Sequence, residues 1–190
     1  MDLTTIAFLI LLGCVGCERL LELQVSRRHQ RQLASCGARK HDDPQYRWMI
    51  ALHAGVLIGA ALEVIVLHRP FIAPVAVAAL LLFSLATLLR WWVIRTLGIH
   101  WNTEVVDSAS IGVICDGPFR WIRHPNYLGV FAELIALPLI HTAWITAALA
   151  AVGNLFVLRN RLRLEERLLE AAPAYRAAMS GKPRFLPRIF

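Results

Sequence analysis

The chain has 190 residues, 57% of them hydrophobic, and a mean hydropathy of +0.55. A soluble domain of this length buries too little surface to hide so much apolar side chain, so lipid is the expected solvent. The formal charge of +7 would suit nucleic acid, but most Lys and Arg lie in segments between apolar runs, as in a membrane protein's cytoplasmic loops, which argues against that partner.

Five apolar runs of near-spanning length predict an all-α, polytopic membrane protein, since about 20 residues cross a 30 Å hydrocarbon core. The first runs from Leu3 to about Val25, with Glu18, Arg19 and Glu22 toward its inner end. Asp2 is the only charge ahead of it, unlike the basic start of a cleaved signal peptide, so the segment is expected to be retained. Cys14-Val15-Gly16-Cys17 has the spacing of a metal or redox pair but no second ligand pair, so no metal is expected. Small residues packing against another helix are the expected use. The second run covers Trp48 to Leu67, and Arg69-Pro70 and Pro74 punctuate a turn before a third that reaches Ile94. The fourth spans Pro125 to Ile140 and the fifth Ala143 to Leu158, with His141-Thr142 closing a tight hairpin.

The basic residues orient these spans. Arg27, Arg28, Arg31, Arg39, Lys40 and Arg47 fill the first connection, only Arg69 the second, while the third and the C-terminal segment are basic again. The positive-inside rule then puts the N-terminus outside and the C-terminus in the cytoplasm. Trp91, Trp92, Trp101 and Trp121 fall near the inner boundary, where indoles prefer to sit. Beyond Leu158 the apolar residues Leu162, Leu164, Leu168 and Leu169 recur at helical spacing, which extends the fifth helix as an amphipathic rod. Pro173 interrupts it, and a tail broken by Gly181, Pro183 and Pro187 is expected to fold back on the cytoplasmic face.

Arg123-His124-Pro125-Asn126-Tyr127-Leu128-Gly129 is the most informative stretch. Pro125 suits the first turn of a helix, so free backbone N–H groups stand beside an Arg and a His. The segment is either an anion-binding corner at the membrane surface or a charged interfacial anchor. In a hairpin it faces Arg159-Asn160-Arg161-Leu162-Arg163-Leu164-Glu165-Glu166-Arg167. Cations, carboxylates and aromatic rings around one spot suit a zwitterionic, nucleotide-like ligand; the alternative is an exposed helix with i,i+4 pairs such as Arg161 with Glu165. Glu133 and His53 are ionisable groups inside spans, where such residues are functional candidates by default. Glu133 is a candidate catalytic base, or else bonds to Asn154, Glu18 or Arg19.

These motifs resemble the isoprenylcysteine carboxyl methyltransferase family. Gly117-Pro118-Phe119 through Gly129 is similar to its Gly-x-[Tyr/Phe]…Arg-His-Pro-x-Tyr-x-Gly signature, and Arg161 to Glu166 to its Arg-x-x-x-Glu-Glu element. Tyr175, Pro183, Arg184, Phe185 and Pro187 resemble its ending, so the likeness covers about Gly112 to Phe190. It implies one membrane-embedded domain over 1–190, with three spans in 1–95 and a cofactor-binding core in 112–190. The implied cofactor is S-adenosyl-L-methionine in a cytosolic pocket of a multi-pass cell-membrane O-methyltransferase. By the same likeness Phe119, which stands where the family usually has Tyr, contacts the cofactor, as do His124, Pro125, Asn126, Tyr127 and Glu165; Ile111, Gly112, Val113 and Ile114 run beside its adenosine, and Arg161 faces the acceptor. The implied partner is a lipophilic or lipidated acceptor entering from the bilayer.

Glu18-Arg19-Leu20-Leu21-Glu22-Leu23, Arg27-Arg28, Trp48, His53 and Trp101-Asn102-Thr103 resemble a small branch found beside type III polyketide synthases. That branch is similar to enzymes that methylate phenolic lipids. Two other functions fit parts of the pattern: an NADPH-binding sterol-reductase-like protein and a small transporter subunit. The first usually needs more spans than 190 residues allow, and the second needs a polar path at which only Glu18, Arg19, Glu133 and Asn154 hint.

Overall fold

A computed structural model describes residues 2–107 and 112–185, the side chain of Arg39 excepted. Six α-helices follow one another: α1 Leu3–Ser35, α2 Gln45–Val66, α3 Ala73–Leu97, α4 Pro125–Leu139, α5 Trp144–Ala171 and α6 Pro173–Met179. The one described strand pair is β1 Arg39–Lys40, antiparallel to β2 Val106–Asp107. Of the helices, α2 and α3 are long and apolar enough to cross a membrane; α4 is apolar but shorter.

Apolar residues are outside as well as inside. Leu81, Leu85, Leu88, Leu149, Val152 and Phe156 are all more than 60% exposed. Contiguous apolar surface of this kind needs a partner, and on helices of this composition lipid supplies it. The interior is built from Phe8, Leu12, Ala60, Val64, Ala79, Phe83, Ala136, Leu137 and Ile140, where small residues let α1, α2, α3 and α4 approach closely. α3 and α4 form the most extensive helix pair. At their contact a Cβ on Gly129 would stand 2.6 Å from Arg90 Cγ and 3.3 Å from Ala86 O, so only glycine fits.

Several expectations are revised. α1 continues ten residues past Val25, because its lower part is a wall for the 98–107 segment. Ser26 Oγ accepts from Thr103 N at 2.9 Å, and His29 Nδ1–H donates to the Trp101 carbonyl at 2.8 Å. Cys14 and Cys17 are exposed, so they do not pack against another helix of this chain. Trp101 is buried, whereas Trp91, Trp92 and Trp121 remain on the surface. The α4–α5 turn forms as expected at His141-Thr142, with Thr142 at φ +53 and its hydroxyl donating to Pro70 O at 2.6 Å.

Charged residues inside the bundle are paired. Arg90 donates to Glu22 at 2.7 and 2.9 Å and to Glu133 at 2.8 Å, and Arg19 donates to Glu22 at 2.8 Å and Glu133 at 3.1 Å. This network ties α1, α3 and α4 together. At the opposite end, Glu63 of α2 accepts the free N–H groups of Ile145 and Thr146 at 3.1 and 2.7 Å. It thereby caps α5, whose own N-cap residue, Ala143, offers no side-chain acceptor.

Candidate active site

Pro125 starts α4, and α5 runs antiparallel past it, bringing the Arg123–Gly129 and Arg159–Arg167 segments face to face. The contact is direct. Tyr127 Oη donates to Glu165 and accepts from Arg161 Nε at 3.0 Å. The i,i+4 pair of Arg161 with Glu165 that the alternative reading offered is absent among the described residues, because the phenol stands between them. Arg161 instead reaches Asp43 at 3.6 Å, donates through Nη1 to Met49 Sδ at 3.0 Å, and donates through Nη2 to the Thr103 carbonyl.

Two cavities meet at this cluster. The first, of about 160 Å³, is lined by Gly112, Val113, Ile114, Phe119, Arg123, His124, Pro125, Asn126, Tyr127 and Glu165, with Leu97, Leu169, Tyr175 and Met179 adding an apolar end. The second, of about 230 Å³ and mainly apolar, lies among α1, α2, α4 and α5, with Leu20, Leu23, Ile50, Leu57, Val130 and Leu158 in its walls. Trp101, Asn102, Asn126, Tyr127 and Arg161 line both. They form a partition between a polar chamber and an apolar one.

The tail completes the first chamber. Arg123 N donates to Pro183 O at 2.9 Å and His124 N to Arg184 O at 3.0 Å, so the described part of the tail folds back as expected, while Pro187 lies outside the described residues. Glu166 clamps it: Arg184 donates to its carboxylate at 2.9 and 2.7 Å, and His124 Nε2 lies 3.3 Å away. Burial alone would raise the Glu166 pKa, but the hydrogen bonds from His124 and Arg184, with Arg123 nearby, hold it down at about 2. Burial pushes the Tyr175 phenol up to about 12, so it stays neutral. Four buried polar atoms of the lining, Trp101 Nε1, Asn102 Oδ1, Arg123 Nε and Asn126 Oδ1, have no partner among the described residues. Buried polar groups are almost always satisfied, so donors and acceptors left free here fit a polar ligand.

Every predicted cofactor-contacting residue that is described lines the first chamber; Ile111 lies outside the described residues. Arg161 stands in the partition. Glu133 does not reach it: its carboxylate is occupied by Arg19, Arg90 and the Thr87 hydroxyl at 2.8 Å, and it lines neither of the two chambers. That geometry makes it a strut of the bundle rather than a base. Asn154 lines the apolar chamber and is not among the recorded partners of Glu133.

The family model for the isoprenylcysteine carboxyl methyltransferase (ICMT) family matches residues 77–171, half of the chain. The protein belongs to the ICMT family. Membership implies methyltransferase activity in general and a membrane setting, which the two long apolar helices fit. The match begins within α3 and ends with α5, so it contains most of the lining residues named above. An uncharacterized protein YpbQ from Bacillus subtilis is 27% identical over 164 residues, which is 86% of this chain and 96% of that one. An uncharacterized protein from Haemophilus influenzae is 27% identical over 159 residues, covering 83% and 91%.

Asp43, Met49, Arg90 and Glu166 are parts of this candidate site that sequence reasoning did not single out. Arg90 carried a signal, as a lone cation within the third apolar run. Asp43 carried none, since it lies in an ordinary polar connection.

Proposed function

We propose that the chain is an S-adenosylmethionine-dependent O-methyltransferase with five spans, acting at the cytoplasmic face of the membrane on a lipophilic acceptor. The carrying observation is the pair of chambers, one polar and one apolar, that share the Trp101, Asn102, Asn126, Tyr127 and Arg161 partition. Family members use S-adenosylmethionine, and the polar chamber fits it. Arg123, Trp101 Nε1 and the α4 N-terminus suit its carboxylate, Asn126 Oδ1, Asn102 Oδ1 and Glu165 suit its ammonium, and the Leu97, Val113, Phe119 and Tyr175 end suits adenine. When bound, the cofactor supplies an electrophilic methyl group on a sulfonium.

The protein's own part is placement. The apolar chamber takes the acceptor's chain, with the acceptor head at the partition, and in-line alignment there removes most of the entropy cost of meeting. The C-terminal tail and Tyr175 exclude water from the polar side. Tyr127 holds the Arg161 and Glu165 side chains at fixed positions on the two sides of the wall. Arg161 puts positive charge at the partition, which favours the ionised form of the acceptor oxygen before methyl transfer.

S-Adenosylhomocysteine at one hundred times its dissociation constant should stabilise the purified protein by about 2.7 kcal/mol, read as a thermal shift in nanodiscs. With labelled cofactor, label should enter the lipid extract, and Arg161→Ala and Glu165→Ala should abolish the transfer while preserving expression. No thermal shift at saturating ligand, or near-parental turnover in either variant, would overturn this assignment.

A further inference from the structure

The apolar chamber contains one imidazole, and its tautomer can be read from its surroundings. His53 Nδ1 lies 2.8 Å from the Met49 carbonyl oxygen, which only accepts, so Nδ1 carries the proton. Nε2 therefore presents a bare lone pair, and His53 lines the chamber. Met49, one helical turn before His53, contacts Arg161 in the partition at 3.0 Å. Residues at i and i+4 stack on one helix face, so the imidazole stands about one turn, roughly 5 Å, deeper in the bilayer than the partition. A proton acceptor there is in reach of an acceptor head directly or through one water.

Arg161 is poorly placed to seat an anion. Of its five N–H groups three already donate, to Tyr127, Met49 and Thr103, and Asp43 stands 3.6 Å from Nη1, offsetting the charge and leaving no parallel pair of donors free. A carboxylate needs two parallel free donors for a bidentate contact. A hydroxyl needs one acceptor for its proton, which is what His53 offers. The other charged groups facing His53 are Arg19 and Glu22 of α1, Arg90 of α3, Glu133 of α4 and Arg161 of α5. Those on α1, α3 and α4 are paired with one another and leave His53 outside their network.

We infer that His53 is the general base of the reaction, and that the acceptor is a weakly acidic hydroxyl on an apolar chain rather than a carboxylate. This rests on the methyltransferase reading above. The acceptor's O–H bond breaks and its proton goes to His53 Nε2. The acceptor oxygen forms a bond to the methyl carbon, and the methyl–sulfur bond breaks with its electron pair left on sulfur as a neutral thioether. The positive charge of the sulfonium is thus passed to the imidazolium, which returns its proton to water once the ether has left.

The test compares a long-chain alkylphenol, whose pKa is near 10 like that of Tyr, with its dinitro derivative, which is already ionised at neutral pH. His53→Gln should lower kcat/KM for the alkylphenol by on the order of 100-fold and leave the dinitro acceptor nearly unaffected. His53→Asn, whose amide N–H can still donate to Met49 O, should give the same split if the Gln variant folds poorly. A second readout needs no turnover. The absorbance of a bound mononitro alkylphenol should report phenolate in the parent protein and phenol in either variant. Equal losses on both acceptors, equal phenolate in parent and variants, or preferred methylation of a long-chain carboxylate would overturn the inference. S-Adenosylhomocysteine binding by the variants separates the two failures: retained binding without the split sinks only the role of His53, whereas no binding even in the parent sinks the cofactor reading.

Discussion

One carboxylate, Glu166, decides how the chain end meets the site. It takes two bonds from Arg184, lies near Arg123 and His124, and is itself buried. Its pKa falls from 4.5 to about 2 on folding, so its stabilising contribution is complete above pH 4.5 and is lost as pH drops from there toward 2. Glu166→Gln should lower the thermal midpoint at neutral pH and flatten its decline across that acid window. Thermal unfolding at graded pH measures both, and a decline as steep as the parent's would assign the acid sensitivity to another group. The same variant releases Arg184, and the tail with it, so its affinity for S-adenosylhomocysteine should fall as well. Glu166 was visible in the sequence only as half of a Glu-Glu pair; its neighbour Glu165 faces the ligand chamber, and helical geometry turns consecutive residues to different faces.

Between elements, stability rests on polar groups that serve a helix other than their own. Glu63 caps α5 from within α2 and also receives Arg69 at 2.7 Å. Glu63→Ala should cost about 3–5 kcal/mol, because it leaves buried donors and a cation unpaired; denaturation in mixed micelles would show it, and a loss below 1 kcal/mol would refute the cap. Glycines give a paired comparison. Gly129→Ala drives a methyl into Arg90 and should cost about 1–3 kcal/mol by overpacking, whereas Gly13→Ala, with open space around it, should be neutral or stabilising. Helix existence was legible from apolar runs, since Trp48 to Leu67 foretold Gln45–Val66 closely. Partnerships were not. The missing cap at Ala143 was readable, but its replacement lies some eighty residues away, and Asp43 meets Arg161 only because a polar connection folds under the bundle. Tyr127, Arg161 and Glu165 meet because a hairpin brings their two segments face to face, and that much was legible from the apolar runs around the His141-Thr142 turn. For Glu133 the sequence left a catalytic base and a pairing with Arg19 both open; the structure gives the Arg19 pairing and adds Arg90 from a second helix, which no local pattern announces.

At the scale of the whole molecule, charge and contact agree on which ends of the helices belong together. His141 lies 3.3 Å from Thr4 Oγ1, and the Thr142 hydroxyl bonds to Pro70 O, so the chain start, the α2–α3 turn and the α4–α5 turn gather at one end. The only Lys or Arg in those three places is Arg69, which Glu63 neutralises. Residues 26–47, 98–107, 112–124 and 181–185 gather at the other end around the candidate site, and they carry most of the net positive charge. Under the five-span arrangement proposed above, the two ends lie on opposite sides of the membrane, with the basic one in the cytoplasm. Orientation can be tested without any assumption about catalysis. In sealed vesicles of known sidedness, with Cys14, Cys17 and Cys115 replaced, the exposed Cys36 should react with an impermeant maleimide only from the cytoplasmic face. His68→Cys, in a chain whose native cysteines are all replaced, should react only from the opposite face. Labelling of both positions from one side would mean that α2 does not cross the membrane. The apolar chamber, which α2 helps to wall with Ile50, His53 and Leu57, would then open on the aqueous phase, and acceptors would have to reach it as micelles or on a carrier instead of from the bilayer.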